Sequence, residues 1–189
     1  MSVPAFEVLR TPRLVLRRLR EEDAPVLAAY RSDPDVARFQ GWGPTFSEDR
    51  ARALVHAMRA RQPGEDGWFQ FAVAHGGTDE LLGDVGLRTF EVRHAEIGFT
   101  LARTAQGRGY AAEAVRAVLA YAFGPLGVHR VVAGVDPRNE RSSVLLSRLG
   151  FRHEGRFVES WPEGDGWLDE DRHALLAREF SARATYDGA

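Results

Sequence analysis

The sequence predicts an α+β (mixed α/β) fold with a mostly antiparallel sheet of about seven strands flanked by helices. Three observations carry this. Alternating apolar stretches separated by tight turns fill the first half of the chain. A strand–helix–strand–helix–strand order follows in the second half. Between those halves, Gly107 and Gly109 form a glycine-rich turn that joins a strand to a helix.

The elements run as follows. Arg13 to Leu19 reads as a short strand, with Leu14, Leu16 and Leu19 as its apolar positions. Glu22–Arg31 reads as a helix, with acids in its first turn and Pro25 where proline is tolerated. Ser47 is the N-cap of a second helix that places Ala51, Leu54, Val55 and Met58 on one face. Gln62-Pro63-Gly64 stops it. Trp68–His75 and Leu81–Leu87 are strands joined by a turn at Gly76-Gly77-Thr78-Asp79, and Ala95–Leu101 is their next antiparallel neighbour. Tyr110–Phe123 is a helix with a stripe of Ala114, Val115, Val118, Leu119 and Ala122. His129–Val135 is an apolar strand, and Ser142–Leu149 is a helix ended by Gly150. Phe151–Val158 and His173–Ala177 close the sheet.

The 189 residues suit one domain (1–189, with its core at about 11–180). A net charge of -2 gives no global reason to expect nucleic acid or an anionic membrane as partner. The absence of cysteine excludes disulfides, thiolate metal sites and a cysteine nucleophile. The six histidines have no ligand spacing, so no metal is expected. Met1 to Arg20 is interrupted by Pro4 and Pro12 and carries five arginines, with no apolar run suited to a signal or a span. A cytoplasmic location is the resulting expectation. All 25 basic residues are arginine, and Ile97 and Asn139 are the sole isoleucine and asparagine, a bias that points to a GC-rich, bacterial type of genome.

The chemistry concentrates at Gln106-Gly107-Arg108-Gly109-Tyr110-Ala111. A glycine-rich turn opening a helix leaves backbone N–H groups unpaired, and the helix dipole favours an anion such as pyrophosphate there. The run Gly107-x-Gly109-x-x-Ala112 also mimics a dinucleotide fingerprint, but four residues separate it from the strand end at Leu101, whereas that fingerprint follows its strand directly.

Gln106-x-x-Gly109-x-Ala111 resembles the acetyl-CoA signature of the GNAT acetyltransferases. Asn139-x-x-Ser142 and Leu149-Gly150-Phe151 resemble that family's next motif. Thr11-x-Arg13-Leu14-x-Leu16-Arg17 with Asp23-Ala24 resembles the opening of its ribosomal-protein N-terminal acetyltransferase branch (Rim-type). Leu82 to Leu87, Trp167-Leu168-Asp169 and Ala174-Leu175-Leu176 are similar to the same branch.

The resemblance implies acetyl-CoA as co-substrate, lying in a V-shaped gap between splayed parallel strands, here Ala95–Leu101 and His129–Val135. Phe99, Thr100 and Leu101 would pair with the pantetheine arm. Gln106, Gly107, Arg108, Gly109, Tyr110 and Ala111 would hold the pyrophosphate, Asn139 would hydrogen-bond the pantetheine or help position the thioester, and Ser142 would join it at the cofactor. Asn139 has an alternative reading as a turn residue, and Ser142 as a helix N-cap. For the base, Glu96 shares a strand face with Gly98 and Thr100; the alternative is that it simply pairs with Arg88. His94, Asp84 and Glu159 compete for that role. Many relatives place a tyrosine acid where this chain has Leu146; the resembled ribosomal-protein branch places a serine after the asparagine, and that resemblance makes Ser142 the candidate acid.

From Glu159 to Asp171 there are six acids and no base, a stretch expected to border the acceptor site and attract a cationic amine. The alternative is a solvated acidic loop. Trp42, Trp68, Trp161 and Trp167 are candidate pocket walls. The acceptor would be a protein N-terminal α-amine or a small cationic amine, and the family resemblance makes a homodimer an expectation. A non-catalytic acyl-CoA-binding regulatory module is the alternative function.

Overall fold

The computed structural model describes residues 6–43, 45–91 and 93–180; Pro4 lies outside them. Eight strands form one sheet: β1 (Val8–Arg10), β2 (Leu14–Arg18), β3 (Gly67–His75), β4 (Leu81–Phe90), β5 (His94–Leu101), β6 (Arg130–Val135), β7 (Arg152–Glu163) and β8 (Gly166–Leu176). Their order is β1-β2-β3-β4-β5-β6-β8-β7. Every neighbouring pair is antiparallel except β5 and β6. Among the described residues the five α-helices are α1 (Ala24–Arg31), α2 (Pro34–Ala37), α3 (Glu48–Arg59), α4 (Tyr110–Phe123) and α5 (Glu140–Leu149).

The strand beyond the expected seven is β1, three residues that alternate exposed and half-buried and so carry no apolar period. Of the helices, the four-residue α2 went unforeseen; it starts on Pro34 behind Asp33, whose carboxylate accepts from the Asp35 N–H at 2.9 Å. Ser47 caps α3 as expected, its Oγ accepting from the Arg50 N–H at 3.2 Å. The Ser142 start expected for α5 is corrected to Glu140, because Asn139 provides the cap. The last two strands run far past their expected ends, so the acidic stretch is no loop but the arms of the long β7–β8 hairpin.

α4 packs on one face of the sheet through the fully buried Ala114, Val115, Val118, Leu119 and Ala122, with α5 beside it. On the N-terminal side of that layer Phe6, Phe69, Phe71 and Tyr121 meet edge to face at centroid distances of 4.8 to 6.2 Å. α1 and α3 pack together, and α1 covers β4 on the other face. There the sheet buries charge. Arg17 makes a two-pronged pair with Asp23 at 2.7 and 3.0 Å. Asp84 accepts from Tyr30 Oη at 2.5 Å and from Arg31 Nη2 at 2.7 Å. Burial first, then the Asp84 charge, holds the Tyr30 hydroxyl well above its ordinary range, so it stays a donor.

Candidate active site

Parallel pairing of β5 with β6 starts at His94↔Arg130 and ends at Glu96↔Val132. On its other side, β5 stays paired with β4 as far as Leu101↔Gly83. From Ile97 onward β5 therefore turns a main-chain edge toward a gap, and Phe99, Thr100 and Leu101 line it. This is the splay expected between these two strands. The strands are parallel, so the β5–α4 and β6–α5 connections both lie at its open end.

At that end the chain makes a one-turn 3-10 helix at Arg103–Ala105 and enters the glycine loop. Gly107 and Gly109 have φ of 74° and 80°, a region that other residues adopt with strain. Gly109 is the N-cap residue of α4, so the first N–H groups of Tyr110 and Ala111 open onto the loop. Gln106 donates from Nε2 to the Leu101 carbonyl at 3.0 Å and ties the loop to the end of β5. Beside the loop lies a cavity of about 320 Å³ lined by His75, Thr78, Glu80, Leu82, Thr104, Ala105, Arg108 and Tyr110.

Asn139 stands at the mouth on the β6 side. Its Oδ1 accepts from the Ser142 N–H at 3.2 Å, and its own N–H donates to the Asp136 carbonyl at 2.8 Å. Its capping duty is thus plain, and Ser142 is the recipient of the cap rather than the cap itself. Leu146, at the position where the family resemblance implies a tyrosine, is fully buried.

Glu96 sits at the apex of the splay, on the face opposite α4, with its side chain 21% exposed. Arg88, its register partner on β4, reaches it at 3.5 Å. The competing bases are placed less well. Asp84 is consumed by Tyr30 and Arg31. His94 starts β5 at the end away from the loop and faces Glu91 at 3.4 Å. Glu159 lies exposed in a β7 bulge with φ 48°.

Next to Glu96 the sheet has a floor without side chains, where Gly86 and Gly98 are register partners. The Trp68 ring lies over both, and Gln70 stands against Gly86. Trp161 packs against Gly41 and so joins the β7–β8 hairpin to the loop after α2. Trp42 serves elsewhere, donating to the Arg31 carbonyl at 3.0 Å and stacking on its guanidinium at 4.3 Å. Trp167 is 60% exposed near the hairpin tip.

The acidic hairpin is less negative than its sequence implied. Asp171 is paired with Arg156 at 2.7 Å, which holds its carboxyl below the usual range. Glu170 is buried against Gly134 and paired with Arg172. Asp169 accepts the Glu159 N–H at 2.9 Å. Glu159, Glu163 and Asp165 remain exposed.

Sequence reasoning missed the brace at the loop. Arg13 donates from Nη1 to the Arg108 carbonyl at 2.9 Å and from Nε to Glu113 at 2.7 Å. Its motif with Thr11 was visible, but nothing local in it revealed a partner about a hundred residues away. Among the described residues no group of three or more potential metal ligands is gathered, and no helix is long and apolar enough to cross a membrane.

The GNAT acetyltransferase domain model matches residues 13–152, which include the splay, the loop and the Asn139 cap. The chain belongs to the GNAT acetyltransferase family. It is 35% identical to an uncharacterized N-acetyltransferase, p20, of Bacillus licheniformis over 93% of this chain and 99% of that one. It is 29% identical to the ribosomal protein uS5 alanine N-acetyltransferase of Escherichia coli over 92% of both chains. Among solved structures, a GNAT-family acetyltransferase from Bacillus anthracis superposes with a TM-score of 0.82 at 30% identity, over 91% of this chain and 99% of that one. This GNAT chain is accordingly an N-acetyltransferase, as its curated relatives are.

Proposed function

We propose that this N-acetyltransferase carries an acetyl group from acetyl-CoA directly to a primary amine, with Glu96 as general base. The observation that carries the proposal is the β5–β6 splay, which opens at Glu96 and ends at the glycine loop. The residues fit the cofactor. The edge of β5 from Phe99 to Leu101 suits an extended amide-bearing pantetheine arm, and the Gly107–Ala111 loop suits its pyrophosphate. Arg108, exposed on that loop, supplies a cation. When bound, acetyl-CoA supplies the activated thioester.

An acceptor amine with a pKa of ~10 is mostly protonated near neutral pH, so a base must take its proton. Glu96 is the carboxylate at the apex of the gap, and it accepts that proton directly or through a water. The amine nitrogen then forms its bond to the acetyl carbon and gives up its second proton to solvent, and the carbon–sulfur bond breaks. Main-chain N–H groups near Phe99 and Thr100 stabilise the oxyanion in between. The thiolate leaves with the electron pair and takes a proton from Ser142 or from solvent; with a thiol pKa of ~8.5 it leaves readily.

For the acceptor, Trp68 over the Gly86–Gly98 floor suits a cation held against an aromatic face beside Glu96. The similarity to the uS5 alanine acetyltransferase supports a peptide α-amine as the first substrate class to test, ahead of small cationic amines. Calorimetry of acetyl-CoA binding is the direct test, comparing wild type with Gly109→Glu. Binding in wild type that is lost in the folded variant supports the cofactor site. A well-folded wild type that binds no acetyl-CoA refutes the proposal. CoA release with a panel of N-terminal peptides and polyamines then sorts the acceptors.

A further inference from the structure

We infer that Arg13 is a positioning residue for the pyrophosphate loop, so that affinity for the cofactor is set in part from the turn between β1 and β2. The inference rests on the acetyl-CoA reading above. Arg13 lies about a hundred residues before the loop, yet one guanidinium meets three of the loop's consecutive features. Its Nη1 donates to the Arg108 carbonyl at 2.9 Å. Its Cζ lies 4.7 Å from the centre of the Tyr110 ring, the first residue of α4. Its Nε and Nη2 both reach the Glu113 carboxylate at 2.7 Å, within the first turn of that helix.

Glu113 is itself fixed. Thr11 Oγ1 donates to it at 2.6 Å, and the Arg13 N–H donates at 2.9 Å. Burial lifts the Glu113 carboxyl, but these donors outweigh it and hold the group below the usual carboxylate range, so it stays an anion for Arg13.

The geometry bears on the ligand through the peptide plane. In a trans peptide the C=O and the following N–H point in opposite directions. Anchoring the Arg108 carbonyl on Arg13 therefore aims the Gly109 N–H away from Arg13. Gly107 and Gly109 carry no side chains to restrain them, and a glycine loses more freedom on ordering than any other residue. A brace that orders the loop before the ligand arrives removes that loss from the binding step. A lysine at position 13 keeps the charge but not the planar fork that serves a carbonyl, a carboxylate and a ring together.

The test compares two acetyl donors, acetyl-CoA and acetyl-pantetheine, the second of which lacks the pyrophosphate. For Arg13→Ala, the ratio of kcat/KM for acetyl-CoA to that for acetyl-pantetheine is expected to fall roughly tenfold or more, the scale of one lost charge-assisted hydrogen bond. Arg13→Lys should lie between the variant and wild type. General structural damage lowers both efficiencies and leaves the ratio at its wild-type value, which would overturn the inference. An unaltered acetyl-CoA Kd in folded Arg13→Ala would overturn it equally. Should Arg13→Ala fail to fold, the same ratio is read on Arg13→Lys, where a wild-type value refutes the inference. A wild type that binds no acetyl-CoA refutes the acetyltransferase reading itself, in an arm of the experiment that no variant enters.

Discussion

Glu96 stands in register with Val132, and no further pair joins β5 to β6 beyond it. The carboxylate therefore marks the point where the sheet opens, next to the edge on which a thioester would lie. Arg88 at 3.5 Å holds it in place without enclosing it. Glu96→Gln keeps the shape and the contact with Arg88 but removes the proton acceptor. The expected result is a fall in kcat of roughly 10² or more with the acetyl-CoA Kd retained. A variant with wild-type kcat would move the base elsewhere, to solvent or to a residue on the hairpin.

Trp68 covers the Gly86–Gly98 floor while remaining 37% exposed, so its truncation removes little core. Trp68→Ala is expected to raise the acceptor KM roughly two- to thirtyfold, the range of a cation–π contact, and to leave the acetyl-CoA Kd in place. Steady-state kinetics with each substrate varied in turn separates the two. An effect on the cofactor alone would place Trp68 outside the acceptor site.

How much of this was legible in the sequence differs from element to element. The glycine loop, β5 and β6 were legible because their signals are local: an apolar run, then small residues at a helix start. The splay itself came from the family resemblance, and the register shows where it begins. The outer arms of the hairpin, beyond Val158 and before His173, were not legible. Trp161 on β7 and Trp167 on β8 are about half exposed or more, so no buried face imposed an alternation on the sequence there. Charge was misread for a related reason. Asp171 looks solvated beside Asp169 and Glu170, but its partner Arg156 comes from the opposite strand, in register with it. Asn139 carried two readings at once; its capping bond to Ser142 bears out the local one, and its role toward the cofactor belongs to the proposal.

Asp84, Tyr30 and Arg31 form a buried cluster beside Thr100, the register partner of Asp84. Removing the carboxylate leaves a guanidinium buried without its counter-ion. Asp84→Ala is expected to destabilise the fold by about 3–5 kcal/mol, the cost of breaking a buried pair from one side. At this chain length that corresponds to a Tm lower by about 6–20 °C. Differential scanning calorimetry checks it. A shift of a degree or less would mean that water reaches Arg31 and that the cluster is not closed.

The pH dependence of stability follows from two sets of groups. Burial pushes His173 below its ordinary value of 6.5, and His153, 5.3 Å away ring to ring, adds to this. The unfolded chain then binds that proton more readily than the folded one. The His173 contribution is thus complete above pH 6.5 and is lost as the pH falls through that value. Hydrogen bonds from Arg130 bring Glu154 down to about 2 from 4.5, and arginine partners also lower Asp171 and Asp136. Their contributions are present above the ordinary carboxylate range and fade as the pH drops from 4.5 toward 2. The urea midpoint is therefore expected to begin falling near pH 6.5 and to fall more steeply below 4.5. His173→Gln should remove the first segment and keep the second. Added salt should shrink the second, because Glu154 and its partners Arg130 and Arg152 are solvent-accessible. A wild-type midpoint that stays level between pH 8 and 5 would contradict the His173 assignment, and would mean that its ring binds its proton alike in both states.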